Sequence, residues 1–400
     1  MLVKEFLTGL RRHINEKPLR FVTGNQSADM DSVVSALSFA FFKAQQAPSE
    51  PVVPIINITR EEFKLRKDIS LLLGTYSIGQ DLLFFIEDFE RLSEKAEKVH
   101  LTLVDHCNIQ GDIFHKYADD NKLQIDTIID HHEDENVAKD ADPRIITKSG
   151  SCSSLVFNYF YTTLKDKTIF ETSDVCGLLL GPLLIDTSNM TQKVEMEDSV
   201  AFSRYIMLLQ DSHISKSMTQ LTRAASDVST ESLMLTYYDT LKTAKKDLSG
   251  LSFFDILRKD YKQFTFNGLR VGFSSLGKLY LWIFNKFSDK DIEEALLRTI
   301  NYHKLDMLVI TTSYTKKTNN EYTREFSYFF KLDAPRAVDL KEIGTLAHQA
   351  LTLNDKIYDY ESFAKKVLSV SNLFLFNQGN VQASRKQVVP IVKDILETKF

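Results

Sequence analysis

Four hundred residues exceed what one ordinary core organises and fit two domains. An apolar share of 43% beside 26% charged residues is that of a folded globular protein and excludes a disordered or fibrous chain. The formal net charge of -5 argues against a general nucleic-acid binder, and three cysteines without CxxC spacing, Cys107, Cys152 and Cys176, exclude a disulfide framework and a thiolate zinc site.

Residues 1–17 read as a short amphipathic helix with charges throughout, unlike a signal peptide, and no run of about 18 apolar residues is present to span a bilayer. A reducing, cytoplasmic setting without membrane contact is therefore expected. Leu19 to Thr23 is a short apolar strand, Gly24 to Ser32 a polar loop, and Val33 to Ala44 a helix. Asp31 or Ser32 suits a helix cap. Asp29 then needs another partner, and two carboxylates at i and i+2 in an irregular loop can converge on a hard cation.

Val52 to Ile58 is the next strand, followed by a charged helix over Arg60 to Leu73, a strand over Leu82 to Ile86 and a surface helix over Glu90 to Val99. Leu101 to Val104 runs into Asp105, and Ile125 to Ile129 runs into Asp130-His131-His132. Strands alternating with helices at this spacing predict a parallel sheet, which binds ligands at the carboxyl ends of its strands. Asp29, Asp31, Asp105 and His131 therefore share one edge.

Arg144 to Ile146 precedes the loop Lys148 to Ser154, which opens a helix over Leu155 to Leu164. Such a loop is an anion site or a plain cap, and Cys152 within it reads as a small buried residue. Cys176 to Ile185 is almost wholly apolar, broken by Gly181-Pro182, and ends in Asp186. An acid there needs a partner to offset burial. From about residue 195 the pattern turns helical and charged, which divides the chain into domains 1–215 and 216–400. The second domain holds strands at Leu269 to Ser275 and Met307 to Tyr314, then Leu373 to Phe376 before the basic stretch Ser384-Arg385-Lys386 and a last helix.

Asp29, Asp31, Asp105, His131 and Asp186 supply enough donors for two divalent cations, an arrangement that polarises a phosphoryl oxygen and acidifies a bound water. His132 is placed to hydrogen-bond the phosphoryl group or the leaving oxygen. Lys262, Arg385, Lys386 and Arg144 are the cations for a polyanionic substrate, arginine through paired hydrogen bonds and lysine as a point charge.

The stretches Asn25-Gln26-Ser27-Ala28-Asp29-Met30-Asp31, Val104-Asp105, Asp130-His131-His132 and Ile185-Asp186 resemble, in order and spacing, the four motifs of the DHH phosphoesterase superfamily. Asp260-Tyr261-Lys262-Gln263-Phe264 and Ser384-Arg385-Lys386-Gln387-Val388-Val389-Pro390 resemble its second type of associated domain. The resemblance implies an α/β protein with a parallel-sheet N-terminal domain, a smaller α/β C-terminal domain and an active site in the cleft between them. It also implies Asp29 on a first metal, Asp31 and His131 on a second, Asp105 and Asp186 shared between them, and Asp130 orienting a histidine. Lys262, Arg385 and Lys386 match substrate-binding positions; Arg144, Ser151 and Ser153 match more loosely.

Within the superfamily the likeness is to the fungal exopolyphosphatases, which remove terminal orthophosphate from linear polyphosphate. The family II pyrophosphatases carry histidine where this chain has Asn25, which leaves Asn25 against a metal or against the attacking water. Mainly oxygen donors then favour magnesium over manganese or cobalt. The implied protein is a monomeric hydrolase of polyphosphate, with nucleoside tetraphosphates as further substrates and no nucleic-acid partner. A pyrophosphatase, a prune-type phosphodiesterase and a polyphosphate- or nucleotide-binding regulator without activity are the alternatives.

Overall fold

Short, largely apolar runs, cut by polar loops, become six strands of two to eight residues: Arg20–Thr23 (β1), Val52–Ile56 (β2), Phe84–Phe85 (β3), Val99–Val104 (β4), Leu123–Asp130 (β5) and Arg144–Ile146 (β6). They form one parallel sheet in the order β3-β2-β1-β4-β5-β6. The chain winds outward from β1 in one direction, then returns to β4 and winds out in the other. β1 and β4 thus flank the point where strand order reverses, the place where such sheets open a crevice for ligands. The computed structural model describes residues 1–14, 20–209, 218, 219, 221, 222, 229–316, 319–331, 340–354 and 370–399.

Around this sheet lie Val3–His13 (α1), Met30–Gln46 (α2), Lys67–Thr75 (α3), Ile86–Ser93 (α4), Asp112–Asp119 (α5), Cys152–Thr163 (α6), Thr168–Thr172 (α7), Val175–Asp186 (α8), Met196–Leu209 (α9) and Thr230–Lys246 (α10). Helix α2 is buried on every side from Met30 to Phe42, and α8 from Val175 to Leu184. Both are apolar or small all round, as a helix enclosed by other helices must be. Phe42, Phe157, Phe160 and Phe170 interlock between α2, α6 and α7 at centroid distances of 4.9 to 5.5 Å.

Some local expectations shift. The strand over Leu82 to Ile86 shrinks to β3, because Asp88 reaches back 3.1 Å to the Phe85 amide and starts α4 at Ile86. The helix over Arg60 to Leu73 divides into a 3-10 turn, Glu62–Leu65, and α3. Leu19 lies outside the described residues.

The chain divides into compact units between Asp247 and Leu248. The expected boundary at 215 and 216 falls outside the described residues, and α10 belongs to the first unit. The reason is burial of Leu233, Met234, Tyr237 and Leu241 in that core, with the Tyr237 hydroxyl donating to the Gly177 carbonyl at 2.9 Å.

In the second unit, Tyr261–Phe266 (β7), Leu269–Leu276 (β8), Met307–Thr312 (β9), Tyr314–Thr315 (β10), Tyr322–Phe330 (β11), Leu353–Asn354 (β12) and Leu373–Gln378 (β13) form a mixed sheet. Its order is β12-β13-β11-β9-β8-β7, with β10 on β11. The β7–β8 hairpin turns on Asn267 and Gly268, at φ of 47° and 78°, the left-handed pair that a tight hairpin requires.

Candidate metal centre

Gly24 follows β1, and a Cβ there would meet the Ser32 Cβ at 2.4 Å, so only glycine lets the chain pass the start of α2 this closely. That approach sets the Ser32 hydroxyl 2.5 Å from Oδ2 of Asp105, to which Asn25 donates its side-chain amide at 2.8 Å. Asp105 itself follows β4 in the left-handed region, at φ 62°, and is 2% exposed. Backbone strain of that kind is held where surrounding contacts over-determine it.

His131 leaves β5 with Nε2 3.1 Å from Oδ1 of Asp105 and 3.9 Å from Oδ2 of Asp31. Its Nδ1 donates to the Ser149 carbonyl at 2.8 Å, which fixes the ring and reserves Nε2 for the acids. Burial opposes charge on this imidazole, but Asp105 and Asp31 push it up; Asp105 is pushed up in turn by burial and by the Asp31 charge.

Asp29, not Asp31 or Ser32, caps α2, accepting from the Ser32 amide at 3.1 Å. Asp31 in the first turn is 3% exposed, and its carboxylate accepts from the Ser151 hydroxyl at 2.8 Å and the Cys152 and Ser153 amides at 2.6 and 2.8 Å. Asp186 ends α8, and its Oδ2 is buried with no hydrogen-bond partner among the described residues. Burial and the Asp31 and Asp29 charges push its carboxyl far up.

The cluster is therefore short of positive charge, and an orphaned carboxylate oxygen faces burial without compensation. A set of carboxylates with one imidazole fits hard divalent cations. Asp105, His131 and His132 each offer a ligand atom, all within 4.8 Å of one another. Asp130, wholly buried, accepts from the His131 and His132 amides at 2.8 and 3.2 Å and from Nδ1 of His132 at 2.8 Å. It thus orients His132, whose side chain is 56% exposed and keeps Nε2 for an outside partner. The Asp130 hydrogen bond pushes the His132 imidazole up.

Four of the expected site residues make their hydrogen bonds within the chain. Ser151 and Ser153 are wholly buried; both hydroxyls and the Ser153 amide are spent on Asp31 or on each other and the Ser151 amide on Asp198, so the anion that this helix start holds is a carboxylate of the chain itself. Arg144 grips Asp134 at 2.5 and 2.8 Å and also donates to the Val137 carbonyl, so its guanidinium is committed within its own loop. Asn25, expected against a metal or the attacking water, donates to Asp105 and accepts from the Ser27 amide at 2.9 Å.

In the second unit Lys262 and Lys386 are exposed. Arg385 donates to the Asp260 carbonyl at 3.0 Å and pairs with its carboxylate at 2.8 Å, which joins the two basic motifs. Asp198, on α9, carries no sequence signal, yet it is wholly buried and gathers the loop that holds Asp31. No helix among the described residues is long and apolar enough to cross a membrane.

Residues 20–181 match the DHH family N-terminal domain, and residues 239–395 match the DHHA2 domain. A Schizosaccharomyces pombe protein provisionally named an exopolyphosphatase is 32% identical over 381 residues, covering 94% of this chain and 90% of the relative. Human exopolyphosphatase PRUNE1 is 27% identical, covering 100% and 80%. A Streptococcus thermophilus protein provisionally named a manganese-dependent inorganic pyrophosphatase is 24% identical over 53% of this chain and 62% of its own length. The crystal structure of a Methanococcus jannaschii protein, provisionally a family II inorganic pyrophosphatase, shares the fold at TM-score 0.51 and 18% identity, over 94% of this chain and 99% of that one. Parallel sheet, acidic crevice and matched domains agree, and the chain belongs to the DHH family of phosphoesterases, a hydrolase with a DHHA2 domain as its second part.

Proposed function

We propose that this hydrolase is an exopolyphosphatase, releasing orthophosphate from the end of linear polyphosphate with the help of two divalent cations, magnesium first. The observation that carries the reading is the convergence of Asp31, Asp105 and His131 beside an unsatisfied Asp186 oxygen at the sheet's reversal point. The names of the fungal and human relatives supply the substrate.

Asp29, Asp31, Asp105, His131 and Asp186 would hold the cations, with Asp105 and Asp186 shared. The chemistry that two such cations supply is polarisation of a phosphoryl oxygen and a water acidic enough to attack near neutral pH. Asn25 and Ser32 keep the Asp105 carboxylate in one orientation. His132, whose tendency to hold a proton is strengthened by Asp130, donates Nε2–H to the phosphoryl or leaving oxygen. Lys262, Arg385 and Lys386 neutralise the rest of the polyanion. Nucleoside tetraphosphates, with the same terminal anhydride, are further substrates. Three buried, unpaired thiols suit a reducing cytoplasm.

The test is orthophosphate release with magnesium from long-chain polyphosphate, tripolyphosphate and pyrophosphate at equal concentrations of anhydride bonds. Long chains consumed with pyrophosphate left over is the expected result. Rapid cleavage of pyrophosphate with little action on long chains would make the protein a pyrophosphatase instead.

A further inference from the structure

Asp198 lies outside every motif of the metal centre, yet its carboxylate is the hub of the loop beneath it. Oδ1 accepts from the Ser149 and Ser154 hydroxyls, both at 2.8 Å, and from the Ser151 amide at 3.3 Å. Oδ2 accepts from the Gly150 amide at 2.6 Å and the Glu195 amide at 2.9 Å. Three of these partners are backbone amides, which can only donate, and two are hydroxyls that can donate as well.

The loop so gathered delivers two cation donors. The Ser149 carbonyl holds Nδ1 of His131, and Ser151, Cys152 and Ser153 hold the Asp31 carboxylate. Gly150 shows how tightly the loop is drawn in, since a Cβ there would meet the Lys193 carbonyl oxygen at 2.5 Å and Oδ2 of Asp198 at 3.0 Å.

We propose that Asp198 is a positioning residue that sets divalent-cation affinity by orienting His131 and Asp31 together through the 149–154 loop. The proposal rests on the reading of those two residues as cation donors. Removing Asp198 loosens both donors at once, although it touches neither. An asparagine at this position keeps the shape, but whichever way its amide turns, its NH2 faces at least one backbone N–H, that of Ser151 or those of Gly150 and Glu195, so the loop relaxes.

The experiment titrates manganese into metal-free wild type and Asp198→Asn, followed by electron paramagnetic resonance of the free ion, with circular dichroism to establish folding. A folded variant whose manganese Kd rises about 10- to 100-fold supports the proposal, that being the usual consequence of losing a partner of a metal ligand. A folded variant with wild-type Kd but a lower melting temperature overturns it, because Asp198 is then only a structural fastener. Wild type that binds no manganese overturns the cation reading itself, a separate result. Should Asp198→Asn not fold, S149A/S154A decides: it leaves Asp198 in place and removes two of its donors. A rise in Kd of about fivefold or more is expected from lost hydrogen bonds of ordinary strength, and an unchanged Kd refutes the role.

Discussion

The side-chain amide of Asn25 donates to Oδ2 of Asp105 at 2.8 Å while its oxygen is taken by the Ser27 amide. Asn25 thus braces the Asp105 carboxylate from the loop that follows β1. Replacing it by histidine exchanges the brace for an imidazole donor, which suits manganese and cobalt more than magnesium. Asn25→His is expected to tighten manganese binding relative to magnesium by about tenfold or more and to raise pyrophosphate cleavage relative to polyphosphate. Competition titrations of the two metals check the first part; an unaltered ratio would show that position 25 does not reach the cations.

Asp105 is crowded by Asp31 and pushed up by burial. Asp105→Asn removes one charge from this crowd but also the proposed shared ligand. Phosphate release should fall at least about 100-fold while polyphosphate still binds, since its binding cations lie elsewhere in the sequence. Steady-state assays with a filter-binding measurement separate these. Activity within about threefold of wild type would rule out a central role for this carboxylate.

Asp186 gives the sharpest link between site and stability. Its buried, partnerless oxygen costs folding free energy in the metal-free protein. Asp186→Asn removes the charge that burial, Asp31 and Asp29 disfavour, so it should raise metal-free stability, seen as a higher melting temperature in EDTA. Manganese at about 100 times its Kd should stabilise the wild type by about 2.7 kcal/mol and the variant by much less. A variant that melts lower in EDTA and gains as much from manganese as wild type would mean that Asp186 has some other partner.

The legible parts of the site were those written locally. Asp105 and Asp130-His131-His132 stand at the ends of apolar strands, and the sheet's parallel winding makes those ends one edge. Asp186 was readable because an acid after ten apolar residues lacks any local way to stay solvated. The loop 149–154 was readable as a set of donors, but their acceptors, Asp31 and Asp198, stand 120 and 48 residues away for Ser151 and Gly150. No periodicity encodes that pairing. The same holds for α10, whose apolar face reads as helix in sequence while the core it joins is decided by tertiary packing. Asp29 and Asp31 differ only in which of them the backbone turns outward, so their roles as cap and buried acid were exchangeable on paper.

In the second unit, His303 stacks on Tyr261 at 4.0 Å and 19° and has a buried Nε2 without a hydrogen-bond partner among the described residues. Burial, reinforced by the nearby Arg258 charge, pushes its imidazole down to about 4. In the unfolded chain an imidazole takes up its proton near the ordinary value of about 6.5. Between these values the unfolded state binds more protons, so lower pH favours unfolding; the contribution of His303 is complete above about 6.5 and drains away toward about 4. Trp282 is the only tryptophan and sits in the helix Tyr280–Lys286 of the same unit, so its fluorescence reports this unfolding. The urea midpoint followed by Trp282 should fall between about pH 7 and about pH 5 in wild type. His303→Phe keeps the ring stack and removes the proton site, so its midpoint should hold nearly level over that range. An equal fall in both proteins would assign the acid sensitivity of this unit to its carboxylates instead.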